Sequence, residues 1–472
     1  MKCRHCFSEL THTFLDLGFA PPSNAYLTKD DLTKPEKFYP LKVMVCDQCW
    51  LVQTEDYAQA DELFDSEYAY ADIFKSCKEI LVYGVAFPLI LWITFKKPQL
   101  ILSIVKKKIN IVVLLFIVIN LIMFRTSHYG LRSEAAGFIF NTRFLAFFLF
   151  AQVMAGLCNK ELVEKAVFWL ICVGGIIVTV FGFLQVAVLP KDLLAHIGYS
   201  KYTILPYYTV SNNTYFVRII STLRGPNELG AYMVFWFPIL LILTMKYWNK
   251  EVNYRYAAVV VWLASIVTLY GSGSRSAFVA CAASLVITTF LVVNKNIKKE
   301  MIIAALVLGV VGSLALIAGR HTRFEQVTVF HQDPTVKTAT TSNLQHVQSI
   351  KDAIAIIKKH PLGLGVGTTN VPSTYGPKGL TVENYFLDTM VETGIIGGLL
   401  FVTICVMLVY ELWKDQDDNV AKALFAGLIG VSIVAMLLPA WEDETLSMLL
   451  WGLAGIVISK RTIPKLTKSA TV

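Results

Sequence analysis

Apolar and polar positions divide the chain into two unequal parts. Up to about residue 75 they mix without long runs, and from there to about residue 459 apolar stretches near 20 residues recur. A helix of about 20 apolar residues is long enough to cross a hydrocarbon layer of about 30 Å. The pattern predicts spans near 79–95, 109–124, 138–157, 165–188, 229–245, 256–271, 276–293, 301–318, 395–413, 420–440 and 444–459. The stretches "KKPQLILSIVKKK" (96–108), "KYWNKEVNYR" (246–255), "NKNIKK" (294–299) and "KRTIPKLTK" (460–468) then share one side, the cytoplasmic one under the positive-inside bias. The two long connections, 189–228 and 319–394, face outward. Pro88 allows a break in the first stretch, so that 79–95 is either an ordinary span or a re-entrant or interfacial segment. The second choice keeps the N-terminal part in the cytoplasm, where thiolate metal sites are at home.

Composition agrees. Of 472 residues 55% are hydrophobic and 16% charged, against roughly 25% charged in soluble domains. The expected fold is an all-α polytopic membrane protein of about 10–11 transmembrane helices behind a small α+β module. Net charge +8 sits mostly in loops between spans and sets orientation, so no nucleic-acid partner is expected. The opening lacks the charged, apolar, small-residue order of a cleavable signal. The expected division is a module at 1–75 and a membrane domain at 79–470 with a large outer loop at 319–394.

The module carries four of the nine cysteines, as "CRHC" (Cys3, Cys6) and "CDQC" (Cys46, Cys49). Paired C-x2-C knuckles supply four thiolates, the complement of a tetrahedral zinc. So short a segment has little core, and bound metal would provide much of its folding free energy. The plainer alternative is two redox or disulfide pairs. His5 reads as a bystander, and the other cysteines as small packing residues. "CRHC…LDLGFAPPSNAYL…YPLKVMVCDQCWLVQ…LFDSEYAYAD", about residues 3–72, resembles the zinc-binding domain that precedes the catalytic domain in sugar C-methyltransferases. Apolar spans follow here instead of a glycine-rich cofactor fold, so methylation is not expected. The module is then a reused binding domain, a passenger from a gene fusion, or one half of a chimera.

The outer connections hold the candidate chemistry. "TYFVRIISTLRGPNELG" places Arg218 and Arg224 ahead of a span, with Asn227 in the turn and Glu228 in the first helical turn. "YGSGSRSAF" (270–278) adds Arg275, and "GRHTRFE" adds Arg320 and Arg323. Five arginines gather where the positive-inside bias leaves few. A planar guanidinium matches phosphate oxygens, although Arg218, Arg320 and Arg323 also suit solvent or lipid headgroups. From Val347 to Ile357 apolar residues recur at helical spacing, predicting an amphipathic helix on the bilayer that begins near His346. "HPLGLGVG" ends it in an irregular, open turn containing Gly365 and Gly367, without the strand a dinucleotide fingerprint requires. Glu383 and Asn384 open the next helix. Asp388 and Glu392 follow on one face, which reads most simply as a solvated acidic face, and Gly394 breaks the helix before the next span.

In that order "LRGPNELGAY", "GSGSRSAFVA", "HPLGLGVG" and "ENYFLDTMVETGIIGGLLFV" resemble the O-antigen ligase and O-antigen polymerase family over about residues 96–459. The resemblance implies a GT-C-like bundle in the bacterial cytoplasmic membrane that transfers a polyprenyl-diphosphate-linked glycan. The acceptor would be a lipid or glycan hydroxyl, the stereochemistry inverting, and no cofactor would be needed for the transfer. It implies that Arg224 and Arg275 hold the diphosphate, assisted by Arg218, Arg320 and Arg323. The substrate and acceptor loops would include Asn227, Asn384, Gly365 and Gly367. Many ligases have histidine where Glu383 stands, so either Glu383 or His346 is the base. The rival reading is a transporter or flippase of the same lipid-linked glycans.

Overall fold

The computed structural model describes residues 2–21, 31–33, 35–54, 87–158, 160–197, 199, 204–210, 213–293, 342–375, 379–415 and 417–460. The expected span at 301–318, together with Arg320 and Arg323, lies outside them. The chain divides into two compact units, Met1–Phe87 with Ala195–Leu205, and Pro88–Leu194 with Pro206–Val472.

In the first unit, β1 (His12–Ala20), β2 (Tyr39–Val45) and β3 (Val52–Thr54) form an antiparallel sheet in that order. Among the described residues its apolar core is Cys3, Leu10, Met44 and Cys46, with Cys49 packed against them. A core this small cannot by itself offset the chain entropy lost on ordering.

The second unit is a helical bundle. Its helices are α1 (Phe87–Lys96), α2 (Pro98–Val105), α3 (Lys108–Met123), α4 (Leu131–Leu157), α5 (Lys160–Ala187), α6 (Pro226–Tyr247), α7 (Val252–Ser272) and α8 (Arg275–Val292). After the undescribed stretch come α9 (Ser342–Lys359), the short α10 (Asn370–Ser373), α11 (Tyr385–Trp413), α12 (Asn419–Ala435) and α13 (Glu444–Lys460). Six described helices are long and apolar enough to cross a membrane, and α3, α12 and α13 are shorter apolar helices. The protein is a multi-pass, all-α membrane protein with a small strand-built cysteine module.

One core runs through the bundle, centred on α6. Phe235, Trp236 and Phe237 of that helix are buried, as are Phe144 and Phe148 of α4, Phe401 of α11 and Trp451 of α13. The closest seam joins α4 to α13: a Cβ on Gly455 would lie 2.5 Å from the Phe148 carbonyl oxygen. Only glycine allows the two backbones to approach so far.

Several boundaries differ from the sequence pattern. The helix expected from residue 138 begins at Leu131, because Ser133, Glu134 and Asn141 find partners inside the bundle. The last half of 79–95 belongs to a ten-residue helix, Phe87–Lys96, that turns at Lys97 into α2; residues 79–86 lie outside the described ones. Gly394 breaks its helix as expected: it adopts the non-helical φ 73°, ψ 175°, and α11 (Tyr385–Trp413) is two helical segments joined across that kink. The long connection 189–228 contains a hairpin, β4 (Tyr208–Val210) and β5 (Asn213–Arg218). The amphipathic helix is present as α9, which buries Ala353 against Val382 and Val391.

Candidate functional site

In the module, the Sγ atoms of Cys3, Cys6, Cys46 and Cys49 all lie within 4.8 Å of one another. The two knuckles repeat one backbone design. Phe7 N–H donates to Cys3 O and Cys3 N–H to Ser8 O, while Trp50 N–H donates to Cys46 O and Cys46 N–H to Leu51 O. Phe7 and Trp50 both take φ 61° to close the turns. Zinc–sulfur bonds of about 2.3 Å imply tetrahedral S···S edges of about 3.8 Å. The Cys3–Cys49 and Cys6–Cys46 separations are 3.6 and 3.5 Å, so the donor set fits zinc. The Ser8 hydroxyl, 3.2 Å from Cys46 Sγ, helps pull that thiol down to about 6, toward the thiolate a metal needs. The exposed His5 side chain stands outside the cluster.

At one end of the bundle three polar assemblies meet. The first surrounds Arg218, Arg224 and Arg275. Arg218, at the end of β5, donates from Nε to Ser272 O at 2.8 Å and from Nη2 to Asn227 Oδ1 at 2.6 Å. Burial draws its guanidinium down to about 10, with Glu228 opposing and Arg275 reinforcing the change, and it stays charged at neutral pH. The solvated placement considered for Arg218 is thus corrected: it is largely enclosed and welds β5 to the end of α7. Arg275 is the first residue of α8, and the start of that helix lies hard against α6, where a Cβ on Gly230 would meet Ala277 and Ser274 at 2.7 Å. Arg224, half-exposed, pairs through Nη1 with Glu444 Oε1 at 2.9 Å.

The same Glu444 oxygen takes Arg143 Nη1 at 3.2 Å. Arg143 is buried within α4, stacks 4.1 Å from the Phe140 ring centroid and donates Nη2 to the Glu442 carbonyl. Glu442 lies in a 3-10 turn, Ala440–Glu442, and Asp443 caps α13 by accepting Leu446 N–H at 2.7 Å. Neither Arg143 nor these acids were singled out from sequence. Yet an arginine inside an apolar run is a functional candidate by default, and "WEDE" (441–444) falls between two spans; both signals were there to be used.

The second assembly is the glycine loop. Glu392 Oε1 accepts the amides of Gly367, Thr368 and Thr369 at 2.8, 3.0 and 3.2 Å, and the Thr369 hydroxyl at 2.8 Å. Its other oxygen accepts Asn141 Nδ2 at 2.7 Å. Leu364 and Gly365 N–H donate to Val391 and Glu392 carbonyls, and Ile395 N–H returns to Pro361 O, so the loop fills the kink at Gly394. Gly363, Gly365, Gly367 and Gly394 all have positive φ. The open turn expected here is therefore closed, with the amides of Gly365 and Gly367 spent on α11. The solvated acidic face is also corrected: Asp388 and Glu392 are buried, 3% and 2% exposed, because the loop covers them.

The third assembly contains both candidate bases. His346 Nδ1, at the start of α9, is in contact with Glu383 Oε2, and Glu383 N–H donates to Ser349 Oγ at 3.0 Å. Asn384 caps α11 by accepting Leu387 N–H at 3.0 Å and ties that helix to Met436 O at 2.8 Å. Asn370 links the assemblies. It exchanges hydrogen bonds with the Val382 backbone, next to Glu383, and donates to Glu442 Oε1 at 2.8 Å.

An apolar cavity of about 690 Å³ lies between α4, α5 and α13. Thr222 and Thr445, close in sequence to Arg224 and Glu444, line it together with Leu170, Ile177, Met448 and Gly452.

Two family models match the chain. Residues 258–402 match the family described as O-antigen ligase, and residues 3–64 match the one described as "Putative zinc binding domain". The first segment contains Arg275, His346, Glu383 and the glycine loop, and leaves Arg143, Arg218, Arg224 and Glu444 outside it. No curated protein matches the chain.

Proposed function

We propose that this O-antigen ligase-like membrane protein is a glycosyltransferase acting on a polyprenyl-diphosphate-linked glycan at the outer face of the bacterial cytoplasmic membrane. The observation that carries the reading is a half-exposed arginine, Arg224, paired with Glu444, where Thr222 and Thr445, close to the pair in sequence, line an apolar cavity that suits a prenyl chain. Arg218, bonded to Asn227 just after Arg224 in sequence, and Arg275, which interacts electrostatically with Arg218, add further positive charge.

In the reaction the acceptor hydroxyl oxygen bonds to the anomeric carbon, and the bond from that carbon to the diphosphate oxygen breaks with its electron pair on the diphosphate. A single displacement inverts the anomeric centre. Charge develops on the leaving diphosphate at a membrane edge of low dielectric, where fixed guanidinium groups act strongly. The acceptor proton goes to His346, whose ring Glu383 orients through Nδ1, leaving Nε2 to take it. The alternatives for the base, Glu383 or His346, thus become one pair. No cofactor is called on for the transfer. Cys3, Cys6, Cys46 and Cys49 would hold a structural zinc, whose binding would supply folding free energy to the module. The lysine-rich connections point to the cytoplasm, and with them the module.

Transport, the rival, calls for charged groups within the bundle. Glu392 and Arg143 are such groups, but both are bonded to backbone at one end, which favours a fixed site over a moving path.

Release of free polyprenyl diphosphate tests the reading. Purified protein given a polyprenyl-diphosphate oligosaccharide and a hydroxyl acceptor releases it only when acceptor is present, and an Arg224→Ala variant does not. Movement of the intact lipid across vesicles without release would establish transport instead.

A further inference from the structure

We propose that Glu444 is a built-in anion that competes with the substrate's diphosphate for Arg224, and that Arg143 is the anchor that restrains it. This rests on the glycosyltransferase reading above and adds to it a residue that sets how tightly the diphosphate is held and how readily it leaves.

The three side chains form an arginine–glutamate–arginine triad on one oxygen, Glu444 Oε1, at 2.9 Å from Arg224 and 3.2 Å from Arg143. Their burial is graded. The Arg143 side chain is 1% exposed, Glu444 10% and Arg224 42%, so only Arg224 reaches a ligand. Glu444 is the first residue of α13, where the helix N-terminus favours negative charge. A phosphate would find the same surroundings there. The glycine seam between α4 and α13 holds Arg143 and Glu444 at fixed separation. Arg224 sits on the turn ahead of α6, whose first residue is Pro226.

The chemistry gives the arrangement a use. Before transfer the diphosphate is esterified at both ends. Breaking the sugar bond leaves one more ionisable oxygen on it, so an arginine site binds the product more tightly than the donor. A resident carboxylate weakens the hold of Arg224 on both and shortens the life of the product complex. Without Arg143, Glu444 would have Arg224 as its cationic partner and would draw it inward. With Arg143, the carboxylate's charge is shared and Arg224 stays available. The triad carries a net charge of +1, and neutralising Glu444 raises it to +2, next to a ligand that is itself an anion.

Calorimetric titration of the full chain in lipid nanodiscs with farnesyl diphosphate, and then with a long polyprenyl diphosphate, tests this. Glu444→Gln tightens binding about tenfold or more, the effect of one added charge at a partly desolvated site. The same variant lowers kcat and KM together, because release has become slow. Arg143→Met weakens binding, and Arg143→Met combined with Glu444→Gln returns it toward the wild-type value. In an Arg224→Ala background Glu444→Gln has a much smaller effect, a non-additivity that a merely structural glutamate would not show.

Unchanged or weaker binding by folded Glu444→Gln overturns the proposal, as does an equal effect of that change with and without Arg224. Should Glu444→Gln not fold, Glu444→Asp keeps the charge and withdraws it by one methylene. It then tightens binding a few-fold, and no change in its Kd counts against the proposal. A wild-type protein that binds neither prenyl diphosphate removes the glycosyltransferase reading, and this inference with it. Wild-type binding with additive variants removes the inference alone.

Discussion

Two polar loops close the same end of the bundle and have opposite characters. The loop at 361–369 has the glycine pattern of a ligand cradle, yet its amides are taken up by Glu392 and by the carbonyls exposed at the α11 kink. The turn at 440–444 has no motif, yet it supplies the carboxylate shared by the half-exposed Arg224 and the buried Arg143. What a polar group can do for a substrate depends on whether the fold has already used it. The first loop is the frame, and the second holds the charge paired with the half-exposed Arg224.

Removing the acceptor that organises the first loop separates the two most strongly. Glu392→Leu orphans three buried amides, a hydroxyl and an amide side chain. The expected loss is about 4 kcal/mol or more, read as failure to give a monodisperse, folded protein in detergent. A stable Glu392→Leu protein with normal turnover would mean that the loop is not held from this point.

Gly367→Ala tests the same frame more gently. The new Cβ would lie 2.2 Å from the Ser133 carbonyl oxygen, at φ +83°. A loss of about 2–3 kcal/mol is expected, visible as a lower midpoint in thermal melts, whereas an alanine at the exposed Lys359, just ahead of the loop, leaves the midpoint in place.

Glu442 probes the second loop through pH. Burial, opposed by the Asn370 hydrogen bond and reinforced by Glu392, pushes its carboxyl up to about 8, from about 4.3 in an unfolded chain. Between those values the folded protein holds a proton that the unfolded chain has lost. Stability therefore falls as pH rises through the window, by up to about 1.4 kcal/mol per pH unit. Glu442→Gln flattens that slope in melts recorded from pH 5 to 8, and a slope unchanged by the substitution would assign the pH dependence elsewhere.

The smallest effect on the bundle comes from removing metal. A strong chelator melts the sheet of the cysteine module and leaves the bundle's melting midpoint where it was. Limited proteolysis reads the first outcome as new cuts among residues 2–54. A module that stays protected after chelation and thiol reduction would not depend on zinc.

Much of this was legible in the sequence because one residue type at one spacing had one physical use. Paired knuckles gave four convergent sulfurs, apolar runs gave helices, and Asn384 opened α11 as an N-cap. Arg218, Arg224 and Arg275 drew notice for the same reason, since arginines are conspicuous in the connections between apolar runs. What stayed hidden depends on long-range pairing. That Glu392 is buried follows from a loop 25 residues earlier folding over it, and the contact between His346 and Glu383 from α9 returning to the start of α11. Helical periodicity cannot tell a face covered by a loop from one covered by water. Arg143 was missed because the apolar run around it satisfied the rule for a span.

Placement of the prenyl diphosphate is the most direct test of the account. A long polyprenyl diphosphate carrying one photoreactive diazirine in the first isoprene unit would be bound to the full chain, illuminated, and the adducts mapped by peptide mass spectrometry. The account predicts adducts on the cavity wall, at Thr222, Thr445, Met448 or Ile177, and their loss in Arg224→Ala. Adducts centred instead on the glycine loop at 361–369, unaffected by Arg224→Ala, would contradict it.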